Sequence, residues 1–223
     1  MFRYNAVLFD MDGTLLDSVE DITHALNLAL EAHRYPTHDT AAVTTFIGNG
    51  TDTLIRKALP RHTDPAIAAG VLSDFKRHYT DRCDHFTHPY PGILSMLSAL
   101  DEAGLKLAVV SNKTDSRVKQ LVKTYFGSLI HVAVGNREGV PLKPAPDMLA
   151  IAMRELHTNP AHTLYIGDSQ TDFEAAANAG TDVILVQWGY GDPETMSLLS
   201  PRFFSNDPAE LPMLIFQEQE DAP

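Results

Sequence analysis

Residues 6–14 read Ala6-Val7-Leu8-Phe9-Asp10-Met11-Asp12-Gly13-Thr14. Four consecutive apolar residues without polar alternation suit a strand buried on both faces of a parallel sheet, and the run stops at Asp10. Three further runs share this character: Leu107 to Val110 ending at Ser111, Leu164 to Ile166 ending at Gly167-Asp168, and Val183 to Val186. Leu129 to Val134 is a weaker fifth. Between them, apolar residues recur at helical spacing: Ile93, Leu94, Leu97 and Leu100 before Gly104; Val118, Leu121 and Val122; Met148 to Leu156; and the alanine-rich Phe173 to Ala179, stopped by Gly180. Strands alternating with helices predict an α/β fold, a Rossmann-like parallel sheet core.

One segment breaks the alternation. From Val19 to about Phe86 no strand-like run occurs, whereas Ile22, Ala25, Leu26, Ala29 and Leu30 follow helical spacing. Further helical stretches fall near 39–46, 52–59 and 65–79. This predicts an inserted helical cap domain over 18–87, with the core formed by 1–17 and 88–223. Asp17-Ser18 would be one hinge, and the Pro- and Gly-rich loop from Thr87 to Gly92 the other.

The wider composition narrows the classes. Of 223 residues, 44% are hydrophobic and 21% charged, which is ordinary globular usage and excludes a disordered or fibrous chain. A net charge of −12 opposes nucleic acid and anionic membrane surfaces as partners. An anionic small substrate would need a local basic pocket. One cysteine, Cys83, cannot close an intrachain disulfide, and no apolar run is long enough for a signal or membrane helix. A cytoplasmic protein is expected, its acidic end from Gln217 to Pro223 frayed.

In a parallel α/β sheet, ligands bind beyond the carboxyl ends of the strands. The polar residues there are Asp10 and Asp12, Ser111 and Asn112, and Asp168 with Asp172. Lys143 adds a cation within the proline-rich loop from Val140 to Pro146. Four carboxylates converging on one crevice would repel one another unless cations intervened. Lys143 supplies one positive charge and a divalent metal would supply the rest. Oxygen donors without cysteine or histidine point to magnesium. Asp168 and Asp172 also suit the N-terminus of the helix expected near Thr171, a role compatible with metal binding.

In order and on these expected elements, Asp10-Met11-Asp12-Gly13-Thr14, Ser111-Asn112, Lys143-Pro144 and Gly167-Asp168-Ser169 with Asp172 resemble the motifs of the haloacid dehalogenase superfamily of phosphotransferases with a helical cap. Phe46-Ile47-Gly48-Asn49-Gly50, Tyr90-Pro91-Gly92 and Val109-Val110-Ser111-Asn112-Lys113 look most like its phosphoglycolate phosphatase branch. The resemblance implies a magnesium-dependent hydrolase of a small phosphorylated metabolite. Asp10 would be the nucleophile and Asp12 the general acid and base. Asp10, the Asp12 carbonyl and Asp168 would hold magnesium, with Asp172 supporting the site or its waters. Ser111, Asn112 and backbone donors from Met11 to Gly13 would bind phosphate, and Lys143 would neutralise nucleophile and phosphate together.

Other readings stay open on the residues alone. A β-phosphoglucomutase-like mutase shares the motifs but usually carries an arginine after the cap loop, where Gly48-Asn49-Gly50-Thr51 offers none. Pyrophosphate hydrolysis and a catalytically silent scaffold are further alternatives, the last opposed by the presence of both Asp10 and Asp12. Cys83, His85 and His88 lack the second thiol or histidine pair of a zinc signature. Arg56, Lys57 and Arg61 either attract a substrate carboxylate or cover a solvated helix face.

Overall fold

A computed structural model describes residues 3–82 and 85–217; Cys83 and the terminal residues 218–223 lie outside the described residues. In chain order the elements are β1 (Ala6–Phe9), β2 (Leu16–Asp17), α1 (Val19–Ala32), α2 (Thr40–Thr44), α3 (Thr51–Ala58), α4 (Pro65–Arg82), β3 (His88–Pro89), α5 (Ile93–Glu102), β4 (Lys106–Thr114) and α6 (Asp115–Tyr125). They continue as β5 (Val132–Asn136), α7 (Asp147–Glu155), β6 (Thr163–Gly167), α8 (Gln170–Ala179), β7 (Asp182–Val186), α9 (Pro193–Ser197), β8 (Phe203–Ser205) and α10 (Leu211–Gln217). The chain divides into two compact units, 1–16 with 89–223, and 17–88.

The larger unit is an α/β fold around a six-stranded sheet in the order β5-β4-β1-β6-β7-β8. Every pairing in it is parallel. Successive residues of a strand face opposite sides. Val7 and Phe9 therefore join Leu107, Val109, Leu164, Ile166 and Ile184 in one core layer. Ala6 and Leu8 join Ala108, Val110, Tyr165, Val183 and Leu185 in the other. Both faces are covered, which is why these strands are unbroken apolar runs. The weak fifth strand lies slightly later than its apolar residues suggest, because Gly127–Leu129 forms a 3₁₀ turn and pairing with β4 begins at Val132. β8 is a three-residue edge strand that no apolar run announces. Gly180 ends α8 in the left-handed conformation at φ 73°.

The smaller unit is helical. Ile22, Leu26 and Leu30 of α1 pack with Val43, Leu54, Ile55, Val71 and Phe75 in a separate core. At its end, the Asp21 carboxylate of α1 accepts hydrogen bonds from the Phe86 amide, the Thr87 amide and the Thr87 hydroxyl at 3.1, 2.7 and 2.6 Å. The chain's departure and return are thus tied together by one buried side chain. The short strands β2 and β3 pair with each other. No helix among the described residues is long and apolar enough to cross a membrane.

Candidate active site

The central strand β1 delivers Asp10 to the carboxyl edge of the sheet, where the Asp10 amide donates to the Ile166 carbonyl at 2.9 Å. The chain then turns tightly, and the Met11 carbonyl accepts from the amides of Thr14, Leu15 and Leu16. Gly13 sits at φ +86°, and a Cβ there would collide with the Asp168 carboxylate and lie 2.9 Å from the Tyr190 ring. Glycine is required both by the backbone angle and by the approach of Asp168.

Three buried carboxylates meet above the sheet: Asp10, Asp168 and Asp172 offer oxygens all within 4.8 Å of one another. Lys143 reaches into this cluster with its Nζ 2.9 Å from Asp10 Oδ1 and 2.7 Å from Asp172 Oδ1. It also donates to the Tyr165 hydroxyl at 2.8 Å, and that hydroxyl donates to Asp172 Oδ1 at 2.9 Å. The other Asp172 oxygen accepts from the Ser169 hydroxyl at 2.6 Å and from the Asp168 amide at 3.3 Å. Ser169 and Asp172 form a reciprocal capping box at the start of α8, so the helix-terminus role expected for Asp172 coexists with its place in the cluster. Asp168 is held by the Thr14 hydroxyl at 2.9 Å and the Tyr190 amide at 2.7 Å.

Electrostatically the cluster is under-neutralised. Burial pushes the Asp10 carboxyl up to about 7; nearby Lys143 opposes the rise, while Asp172 and Asp12 add to it. Burial also drives Asp168 well above the usual carboxylate range, reinforced by Asp172 and Asp10. Burial alone would lower the Lys143 ammonium, yet Asp10 and Asp172 hold it above its ordinary value. Asp10 Oδ1 meets the lysine as a buried ion pair at 2.9 Å.

The phosphate-binding expectations divide. Ser111 is buried and its Oγ accepts from the Lys113 amide at 3.3 Å, which leaves the hydroxyl proton to donate elsewhere. The Gly13 amide instead donates to the Leu16 carbonyl at 2.9 Å, closing the turn. The Met11 side chain is fully buried in the core, and its carbonyl rather than its amide closes the turn. The Asn112 side chain clamps the backbone of Lys143, accepting from its amide at 2.8 Å and donating to its carbonyl at 3.1 Å. Asn112→Ala should therefore loosen the lysine loop and cost about 1–3 kcal/mol of stability, as expected when buried polar groups lose their partners. Denaturant unfolding measures this, and unchanged stability would contradict the clamp.

Asp12 stands apart from the carboxylate cluster. Its Oδ2 pairs with Lys113 Nζ at 3.0 Å, both side chains nearly buried. In the helical unit, Lys57 donates to the Thr45 carbonyl at 2.7 Å. Arg56 and Arg61 rim an open groove of about 560 Å³ floored by Ile55, Leu59 and Leu72. Among the described residues, His85 and His88 join no group of three metal-ligating side chains.

Comparison with known proteins follows this geometry closely. A family model described as haloacid dehalogenase-like hydrolase matches residues 7–186. A phosphoglycolate phosphatase of Aquifex aeolicus is 34% identical over 185 residues, covering 82% of this chain and 85% of that protein. The N-acetylmuramic acid 6-phosphate phosphatase of Pseudomonas aeruginosa is 32% identical over 193 residues, covering 86% and 85%. Among solved structures, a provisionally assigned phosphoglycolate phosphatase from Lactobacillus delbrueckii subsp. bulgaricus matches with a TM-score of 0.91 at 31% identity, covering 96% of this chain and 99% of the other. The matched span runs from β1 to the end of β7 and takes in Asp10, Lys143, Asp168 and Asp172, so the chain belongs to the haloacid dehalogenase-like hydrolase family.

Proposed function

We propose that the protein is a magnesium-dependent phosphatase that hydrolyses a small anionic phosphate monoester through an aspartyl-phosphate on Asp10, with 2-phosphoglycolate as its substrate. The observation that carries the reading is the buried Asp10 carboxylate paired with Lys143 at 2.9 Å at the end of the central strand, beside Asp168 and Asp172. A carboxylate so placed serves as a covalent nucleophile when a neighbouring cation orients it. Relatives named phosphoglycolate phosphatase recur among the similar proteins, which supports the choice of substrate.

The residues fit magnesium. Asp10, Asp168 and Asp172 present only oxygen donors, they are buried, and Lys143 alone does not balance their charge. Asp10 and Asp168 would hold the ion directly, and Asp172, tied to Lys143, Tyr165 and Ser169, would orient the groups around it. When bound, a hard divalent cation offsets carboxylate repulsion and polarises a phosphoryl oxygen.

The chain's own residues account for the proton and bond changes. An Asp10 oxygen attacks phosphorus and the bond from phosphorus to the ester oxygen breaks. Asp12 gives its proton to that departing oxygen. A water then attacks the aspartyl-phosphate, Asp12 takes the water's proton, and the bond from phosphorus to Asp10 breaks to release phosphate. The Ser111 hydroxyl donates to the phosphoryl group, and Lys143 counters its charge.

Phosphate release from a panel of phosphorylated metabolites, with magnesium and with chelator, tests the reading. Magnesium-dependent release led by 2-phosphoglycolate is expected; transfer to a sugar phosphate in preference to water would replace it with a mutase. Asp12→Asn should lower turnover of alkyl phosphates about 10²–10⁴-fold, the range for general acid and base catalysis. Nitrophenyl phosphate needs no proton on its leaving oxygen, so with this variant it should leave a phosphorylated protein detectable by intact mass. Full turnover of an alkyl ester by the variant would refute the role of Asp12.

A further inference from the structure

We propose that Lys113 selects substrates whose leaving group carries a carboxylate on the carbon next to the ester linkage. The inference rests on the phosphatase reading above, in which Asp12 serves the leaving oxygen.

The two lysines of the site stand at different places. Lys143 faces Asp10 and Asp172, where the phosphoryl group is handled. Lys113 faces Asp12, with its Nζ 3.0 Å from Asp12 Oδ2 and its side chain only 7% exposed. Its backbone is fixed from two sides. The pairing of β4 with β5 shifts register between Val110 and Thr114 and resumes at Thr114 with Asn136. Gly135 of β5 approaches so closely that a Cβ there would lie 2.8 Å from the Lys113 carbonyl and 2.7 Å from the Asp115 amide. The Gly135 amide donates to Asp115 Oδ1 at 3.0 Å, and the Lys113 amide donates to Ser111 Oγ at 3.3 Å. A lysine anchored in this way is a preorganised charge, whereas a solvated one would first have to be ordered.

Distance then defines what the charge can meet. An acid that protonates an ester oxygen works at about 2.6–3.2 Å from it. Where Asp12 Oδ2 both serves that oxygen and meets Lys113 at 3.0 Å, the ammonium stands within about 6 Å of the ester oxygen. A carboxylate one carbon along lies inside this radius, and one several bonds further along extends beyond it. The protein as a whole carries −12, so a local cation favours the approach of a substrate that bears a second negative charge. A neutral leaving group gains nothing from it. Selectivity is the difference between the two.

The test compares kcat/KM for 2-phosphoglycolate and for its isosteric carboxamide, in the unmodified protein, Lys113→Met and Lys113→Arg. The unmodified protein should favour the carboxylate by about 10–100-fold, the scale of one charged hydrogen bond. Lys113→Met should move that ratio toward unity, chiefly through KM, and Lys113→Arg should retain most of it. Damage to Asp12 lowers both esters together and cancels in the ratio, so a purely structural role would leave it unchanged. A ratio near unity in the unmodified protein, or one that survives in Lys113→Met, overturns the proposal. Should Lys113→Met fail to fold, Lys113→Gln takes its place, and a ratio that it leaves unchanged overturns the proposal. Hydrolysis of nitrophenyl phosphate but of neither glycolyl ester overturns the role of Lys113 and keeps the phosphatase. Hydrolysis of none overturns the phosphatase reading itself and with it this one.

Discussion

Asp10→Asn should abolish turnover, by on the order of 10⁴-fold or more, as loss of a covalent nucleophile does. The amide is nearly isosteric with the carboxylate, so it fits the same space beside Lys143, but it has no anionic oxygen with which to attack phosphorus. The same substitution should stabilise the metal-free fold at neutral and higher pH. Burial raises the Asp10 carboxyl from its ordinary 3.8 to about 7. Between these values the folded protein binds more protons than the unfolded chain, so stability falls as pH rises from about 4 to 7 and levels off above that. Asparagine does not titrate and should remove this part of the slope. Denaturant unfolding with chelator at pH 5 and pH 8 reads the effect. Magnesium should restore more stability to the natural protein at pH 8 than to the variant, because binding to the folded state alone stabilises by mass action and the variant has lost an anionic ligand. Turnover surviving in Asp10→Asn would end the covalent mechanism.

What the sequence made legible follows from how local each signal is. The strands carrying Asp10, Ser111 and Asp168 are buried on both faces, so their apolar runs are unbroken and the polar residue ending each one stands out. The partners that hold those residues have no such signal. Thr14 meets Asp168 across 154 residues, and Tyr190 reaches the same carboxylate from a loop after β7. Tyr165 occupies an inward position of an apolar strand, where its ring reads as core, and only its hydroxyl shows that the core layer reaches the carboxylates. Lys113 follows Ser111-Asn112 in sequence, yet its pairing with Asp12 joins residues far apart in the chain. Asn112 follows the apolar run that the sequence indicates, within a strand that continues to Thr114, and its amide is directed to the Lys143 backbone. Strand-end position identifies which residues reach the site; the division of labour among them is set by contacts distant in sequence.

Lys143→Met should be the most damaging change to the fold and should remove most activity. Among the described residues, no other cation forms an ion pair with Asp10 or Asp172, and the lysine also anchors the Tyr165 hydroxyl. Methionine fills much of the same volume, so the loss is one of charge more than of packing. Removing one partner of a buried ion pair costs about 3–5 kcal/mol because the remaining charge is uncompensated. That is a large share of a total stability of about 5–15 kcal/mol. The pH dependence identifies the cause. With Asp10 and Asp172 holding the ammonium above its ordinary value, the lysine stays charged in both folded and unfolded chains between pH 5 and 8, and its own titration adds no slope there. Without it, the Asp10 carboxyl, which the lysine holds down against burial, is driven further upward. Asp10 then keeps its proton in the folded chain to a higher pH than in the natural protein, and the fall of stability with rising pH extends further. The variant should accordingly lose more stability at pH 8 than at pH 5, and magnesium should recover part of the difference. An equal loss at both pH values would assign the damage to packing alone. Turnover should fall by about 10²–10³-fold, the scale of removing one preorganised group that counters developing charge. A variant of normal stability and activity would mean that Lys143 does not balance these carboxylates.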